Sequence, residues 1–320
     1  MAVTVTTIGR SKISVPEVNR AVQDSKADFF ALCNSKYEKK IEQIAQRVAE
    51  DPAKARIIML SGPSASGKTT TSIKLQEAII RLGCDAVAIS MDDFFKNREE
   101  TPLRPDGTRD YESVAAIDTA LLEETLSELV TCGQTELPVF DFKLGRRAER
   151  RRAVTLAKDQ VAVVEGLHAL NPQITAALPA QAILKIYVSV SSDFMGTDGK
   201  ETLCAREVRL VRRTVRDFNF RGAGVEKTLD MWDEVCRGED LYVRPYKKCA
   251  DITVNSAFSC EPCIFRETAL ALFSELPQQS RHAARVQHIQ DGLTAFEPMT
   301  PALMPESCVL REFFGGSCYY

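Results

Sequence analysis

Residues 62–69 read Gly-Pro-Ser-Ala-Ser-Gly-Lys-Thr, which fits the pattern G-x-x-x-x-G-K-[ST]. Two glycines at this spacing let the backbone curl successive N–H groups around phosphate oxygens. A helix opening at Lys68 would aim its positive end at the same anion. The Lys68 ammonium can reach the β- and γ-phosphates, and the Thr69 hydroxyl can ligate Mg²⁺. Gly62, Ser64, Ser66, Gly67, Lys68, Thr69 and Thr70 are therefore the candidate ligands of a nucleoside triphosphate, ATP or GTP, carried with Mg²⁺. GTPases, motors and kinases share such a loop, so other residues must decide the reaction.

Two acidic positions and a run of arginines bear on that choice. Asp92 and Asp93 follow the apolar run 86–90, and Glu165 follows the run 161–164. Ligands of open parallel sheets gather beyond the carboxyl ends of strands. A carboxylate at Asp92 could take the proton of an attacking hydroxyl; the same pair could equally cap a following helix. Glu165 is placed to stand beside Mg²⁺ or to pair with a lysine. Arg209, Arg212, Arg213 and Arg216 lie three or four apart, so several share one helix face, and Arg221 follows. Guanidinium groups there could bind phosphate oxygens bidentately, or form a solvated face paired with Glu207 and Asp217.

The elements that must position these groups alternate along the chain. Apolar runs at 56–60, 86–90, 161–164 and 182–188, with a last one at 251–254, read as strands. Helical periodicity appears at 37–49, after the phosphate loop to Arg81, at 202–217 and at 264–276. Near-continuous apolar strands separated by helices indicate an α/β fold, a parallel sheet flanked by helices on both faces.

Composition narrows the class further. The chain has 320 residues, 44% hydrophobic and 27% charged, with a formal charge of −3. That balance argues against a nucleic-acid partner. The basic run 143–152 lacks interleaved aromatics and reads as a solvated hairpin loop. The first residues lack a secretion-signal core, no apolar run is long enough to span a membrane, and ten scattered cysteines suit a reducing compartment. The expectation is a cytoplasmic protein. Cys260 and Cys263 read as small buried hydrophobes, His168 as a poor zinc ligand, and Trp232 and Tyr246 as packing residues.

The ordered set GPSASGKT, MDDFF, PVFDF, VVEGLHAL, RLVRRTVRDFNFRG and KKCADITVN resembles the uridine kinase and phosphoribulokinase group of P-loop kinases. It is most similar to uridine kinase-like nucleoside kinases, over roughly residues 36–320. Some of those carry an additional N-terminal TGS module, for which residues 1–35 are too short. The resemblance implies a P-loop NTPase fold with an arginine-bearing lid, and transfer of a γ-phosphate to a nucleoside 5′-hydroxyl. It makes Asp92 the general base and Glu165 the acid near Mg²⁺. It places Glu112 on the ribose hydroxyls and Phe140 beside the base. Lys68, Arg213 and Arg216 would stabilise the transferring phosphate, with Arg209 and Arg221 in the lid. Gly145 departs from the pattern: pyrimidine-specific members carry a base-contacting histidine there.

Three segments are expected: an N-terminal extension over 1–35, a kinase domain over 36–290 and a tail over 291–320 packed on it. The small-molecule substrate would be a nucleoside, and homo-oligomers are common among such kinases. Two alternatives stand beside this reading. One is a same-fold kinase for another metabolite alcohol, the other a non-catalytic nucleotide-dependent regulator.

Overall fold

The computed structural model describes residues 11–320 apart from residue 177. In chain order the first half comprises β1 (Ser11–Ser14), α1 (Val15–Asp24), α2 (Lys26–Glu50), β2 (Ile57–Ser61), α3 (Lys68–Arg81), β3 (Ala86–Ser90), α4 (Thr119–Cys132) and β4 (Gln134–Leu137). Then follow β5 (Phe140–Asp141), β6 (Arg146–Arg147), β7 (Arg152–Thr155), β8 (Val161–Glu165), α5 (Pro172–Thr175), β9 (Ile183–Ser189), β10 (Ser192–Met195) and β11 (Glu201–Leu203). The remainder is α6 (Ala205–Arg221), α7 (Val225–Gly238), β12 (Ile252–Asn255), α8 (Glu261–Phe273), α9 (Ala283–Thr294) and α10 (Arg311–Phe314).

The central sheet has five parallel strands in the order β12-β9-β2-β8-β3. Strands β2 and β8 are buried at every position, as expected of strands covered on both faces. Side chains alternate between two cores. Ile58, Leu60, Val161 and Val163 point to the face covered by α2, α3, α6 and α8. Ile57, Met59, Ala162 and Val164 point to the face covered by α4 and α5. Each such side chain other than that of Ala162, fully buried, contributes roughly 1.5–3 kcal/mol. A one-residue slip in register would exchange the two sets.

That register also sets the chemistry. Ser90 lies opposite Glu165, and Glu165 opposite Leu60, so the ends of β2, β3 and β8 meet at one edge of the sheet. Helix α2 begins at Lys26, well before the periodic stretch at Tyr37. Phe30 and Cys33 extend its buried stripe of Tyr37, Ile41, Ile44 and Val48, and the Ser25 hydroxyl accepts from the Asp28 N–H at 3.2 Å. The preceding strand β1 pairs in parallel with β10 in a separate three-stranded sheet.

Past α9 the chain runs over the phosphate-loop side. Leu310 and Phe313 are buried there, the Arg212 guanidinium lies 5.0 Å from the Phe313 ring centroid, and Phe314 packs on Phe265 at 4.4 Å. Among the described residues no helix is long and apolar enough to cross a membrane.

Candidate active site

The loop between β2 and α3 is locked by close approaches. A Cβ on Gly62 would stand 2.2 Å from the Val188 carbonyl oxygen, so no larger residue fits between the loop and β9. Gly67 caps α3 with φ of 80°, and Ala65 also has positive φ, 58°. Such a φ in a non-glycine residue needs outside support. Support comes from below: Arg212 donates to the Ala65 carbonyl at 3.3 Å, and Ser256 donates to the Ser66 carbonyl at 2.6 Å. Arg209 donates to the Ser64 carbonyl and Arg213 to the Ser64 hydroxyl, both at 2.9 Å. With its carbonyls tied back, the loop is left to turn N–H groups inward. The Ser66 hydroxyl is buried and unpartnered.

The arginines of α6 therefore divide. Arg212 is fully buried in a bidentate pair with Glu261, one bond of which is 2.7 Å. Arg209 pairs with Glu239 at 2.9 Å and stacks 5.5 Å from the Trp232 ring. Both hold the loop, and one guanidinium nitrogen of Arg209 stays buried without a partner. Arg213, Arg216 and Arg221 gather on the Asp217 carboxylate at 3.2, 2.7 and 3.6 Å. Burial, then the neighbouring Arg216 and Arg221 charges, hold the Arg213 pKa below its ordinary value.

The aspartate pair also divides. Asp93 accepts from the Phe140 N–H at 3.2 Å and so anchors β5; burial raises its pKa. The turn after β3 is capped by the Ser90 hydroxyl, which accepts from the Asp92 N–H at 3.3 Å. Asp92 is left exposed, with its carboxylate free of these structural duties. Glu165 accepts from the Ser90 hydroxyl at 3.1 Å through one oxygen, and its other oxygen is buried without a partner. Burial raises its pKa; the Asp92 charge adds to this and the Lys68 charge opposes it.

These charges act on one another across a common space. Lys68, Asp92 and Glu312 all influence Glu165; Arg213 and Lys68 influence Glu112; Asp92 and Glu312 influence Arg221. Lys68, Asp92, Glu112, Glu165, Arg213 and Arg221 are thus linked within electrostatic reach as one group of charges. The unpartnered buried oxygen of Glu165 beside the phosphate loop could take a divalent cation such as Mg²⁺.

Glu112 sits against the end of α7, where a Cβ on Gly238 would come within 2.5 Å of its own Cβ. Burial raises its pKa, opposed by Arg213 and Lys68. Its loop is pinned by Asp110, which accepts from Tyr242 at 3.1 Å and from Arg104 at 3.3 Å, while Arg104 also pairs with Glu234 at 2.6 Å. His168 is buried edge-on to Tyr242, and burial lowers its pKa to about 4. Phe140 lies edge-on to Phe142 at 5.0 Å and tilted against Phe95 at 5.9 Å. Gly145 has φ of 68°, and a Cβ there would stand 2.7 Å from the Arg98 guanidinium. A histidine at this position would need both a strained backbone and a displaced Arg98.

Sequence reasoning did not single out Asp110, Arg104 or Tyr242, since nothing in their spacing signals a long-range pair. It also left Glu312 unassigned. The Glu312 carboxylate accepts from the Thr70 N–H at 3.2 Å and from the Thr70 hydroxyl at 2.7 Å.

The Phosphoribulokinase / Uridine kinase family model matches residues 57–259. The chain is similar to uridine kinases from Bacillus pumilus and Macrococcus caseolyticus, 27% and 29% identical over 203 residues. Those matches cover 63% of this chain and 87% and 88% of the relatives. A solved structure described as a putative fructose transport system kinase from Silicibacter sp. TM1040 superposes with a TM-score of 0.50. It is 21% identical and covers 67% of this chain and 98% of that one, a likeness of fold. The parallel sheet, the loop at its edge and the matched span together mean that the chain belongs to the phosphoribulokinase/uridine kinase family of P-loop kinases, phosphotransferases that act on an alcohol group.

Proposed function

We propose that the chain transfers the γ-phosphate of ATP or GTP to the 5′-hydroxyl of a nucleoside of the uridine or cytidine kind. The observation that carries this is Asp92, a carboxylate just past the end of β3 on the same edge of the sheet as the phosphate loop, which no structural hydrogen bond occupies. The loop N–H groups and Lys68 bind the triphosphate. Thr69 and Glu165 would hold Mg²⁺, which would supply charge neutralisation to the bound triphosphate. Asp92 takes the proton of the acceptor hydroxyl as the new bond forms. Arg213, Arg216 and Arg221 meet the charge spreading over the transferring group, where oriented cations count most. Arg209 acts one step removed, through Ser64.

For the acceptor, Glu112 binds the ribose hydroxyls and Phe140, with Phe142 beside it, offers a face to the base. The Arg98 guanidinium stands where a histidine at 145 would begin. That observation favours a second reading, a base or another flat alcohol with a hydrogen-bond pattern unlike that of uridine. Asp92→Asn tests the shared mechanism. It should leave triphosphate affinity within about twofold and lower kcat by roughly 10²–10⁴-fold, the usual contribution of a general base. Unchanged turnover removes Asp92 from that role.

A further inference from the structure

The first turn of α3 is already engaged by an anion of the chain itself. Thr70 is the second hydroxyl residue after Lys68, and its backbone N–H is one of the orphan donors at the helix start. These donors and the positive helix end suit a phosphate oxygen. Both Thr70 donors are instead spent on one Glu312 oxygen, and Tyr320 adds a hydroxyl contact to Thr70 at 3.2 Å. Around this contact the tail is built onto the same helix. Lys74 donates to the Ser307 carbonyl at 2.9 Å, Tyr319 donates to Glu77 at 3.0 Å, and Val309 lies against Gly67.

We propose that Glu312 sets the affinity of the phosphate loop for nucleotides, by holding the Thr70 donors that a nucleotide phosphate must take. This rests on the loop being the triphosphate site. The geometry makes it a side-chain gate rather than a tail that must unfold. Val309, Leu310 and Phe313 anchor α10 in the core, whereas Glu312 is only half-buried and faces the helix start. Rotation of the Glu312 side chain alone would free both Thr70 donors from the carboxylate while the anchor stays packed, leaving the Tyr320 hydroxyl beside Thr70. Two costs then fall on the nucleotide. Its phosphate displaces two hydrogen bonds to an ionised carboxylate, each stronger than a neutral one. It also enters beside a negative charge that acts on Glu165 and Arg221 as well.

The test uses the full chain and a non-hydrolysable ATP analogue with Mg²⁺, titrated by calorimetry against wild type, Glu312→Gln, Glu312→Ala and Lys68→Ala. Glu312→Gln keeps the shape and removes the charge; Glu312→Ala removes the acceptor too. Both should bind about tenfold tighter or more, with alanine at least as tight as glutamine, and with unfolding temperatures showing both are folded. Unchanged or weaker binding by both folded variants overturns the gate. If wild type binds the analogue, Lys68→Ala does not, and the Glu312 variants match wild type, the gate alone fails. If no variant binds it, the triphosphate site itself fails, and the gate with it.

Discussion

The Arg212–Glu261 pair allows the sharpest energetic prediction, because it lies beneath the phosphate loop with no access to water. Arg212 is 0% exposed and Glu261 2%. The carboxylate accepts both guanidinium bonds and the Phe258 N–H at 3.3 Å. Glu261→Gln keeps the volume but removes the countercharge and turns one of the two accepting oxygens into an NH2 donor that faces the buried guanidinium. Breaking a buried pair in this one-sided way costs about 3–5 kcal/mol. Against a total stability of about 5–15 kcal/mol this is a large share. Urea unfolding, read through the single and buried Trp232, should show the midpoint falling at unchanged slope. Replacing both partners, Arg212→Met with Glu261→Leu, should recover much of the loss, since no charge is then stranded. The double variant also removes the Arg212 bond to the Ala65 carbonyl, held at positive φ, so its triphosphate affinity should fall even where its stability recovers. A loss below about 1 kcal/mol, or a double variant no better than the single one, would refute the reasoning.

Three further outcomes follow from the same geometry. Gly62→Ala forces a methyl against the Val188 carbonyl; an overpacking cost of about 1–3 kcal/mol should appear as a lower unfolding temperature and weaker triphosphate binding, and normal values for both would contradict it. Glu165 is an acid whose folded pKa is raised above 4.5. Its contribution to stability is intact below about 4.5 and is lost as the pH climbs through the folded value. Glu165→Gln should therefore raise the unfolding temperature of the ligand-free protein at pH 7 and give no such gain at pH 4; an equal shift at both would count against it. Gly145→His should lower the unfolding temperature through its φ of 68° and the clash with Arg98. A variant as stable as wild type would show that the position has room.

The fold was legible because its strands are unusually plain. Runs such as Ile57–Ser61 and Val161–Glu165 are buried throughout, and that follows from their side chains alone. The phosphate loop was legible for a related reason: its glycines and lysine act through local backbone geometry at fixed spacing. What local pattern could not yield was the division of labour within like-charged groups. Arg209 and Arg213 share a helix face and a residue type, yet one pairs with Glu239 and the other turns to Asp217. Asp92 and Asp93 differ by one position, and only the contact with Phe140 separates them. Glu312 is 242 residues from Thr70 in sequence, so only the folded chain reveals that they meet.

The most direct test of the proposed activity is phosphorus NMR on the purified chain with Mg–ATP and a panel of nucleosides. One nucleoside should yield a 5′-monophosphate ester in step with ADP, and the same sample with Asp92→Asn should yield the ester roughly 10²–10⁴-fold more slowly. Formation of ADP with inorganic phosphate alone, or no ester from any nucleoside while another alcohol is phosphorylated, would contradict it.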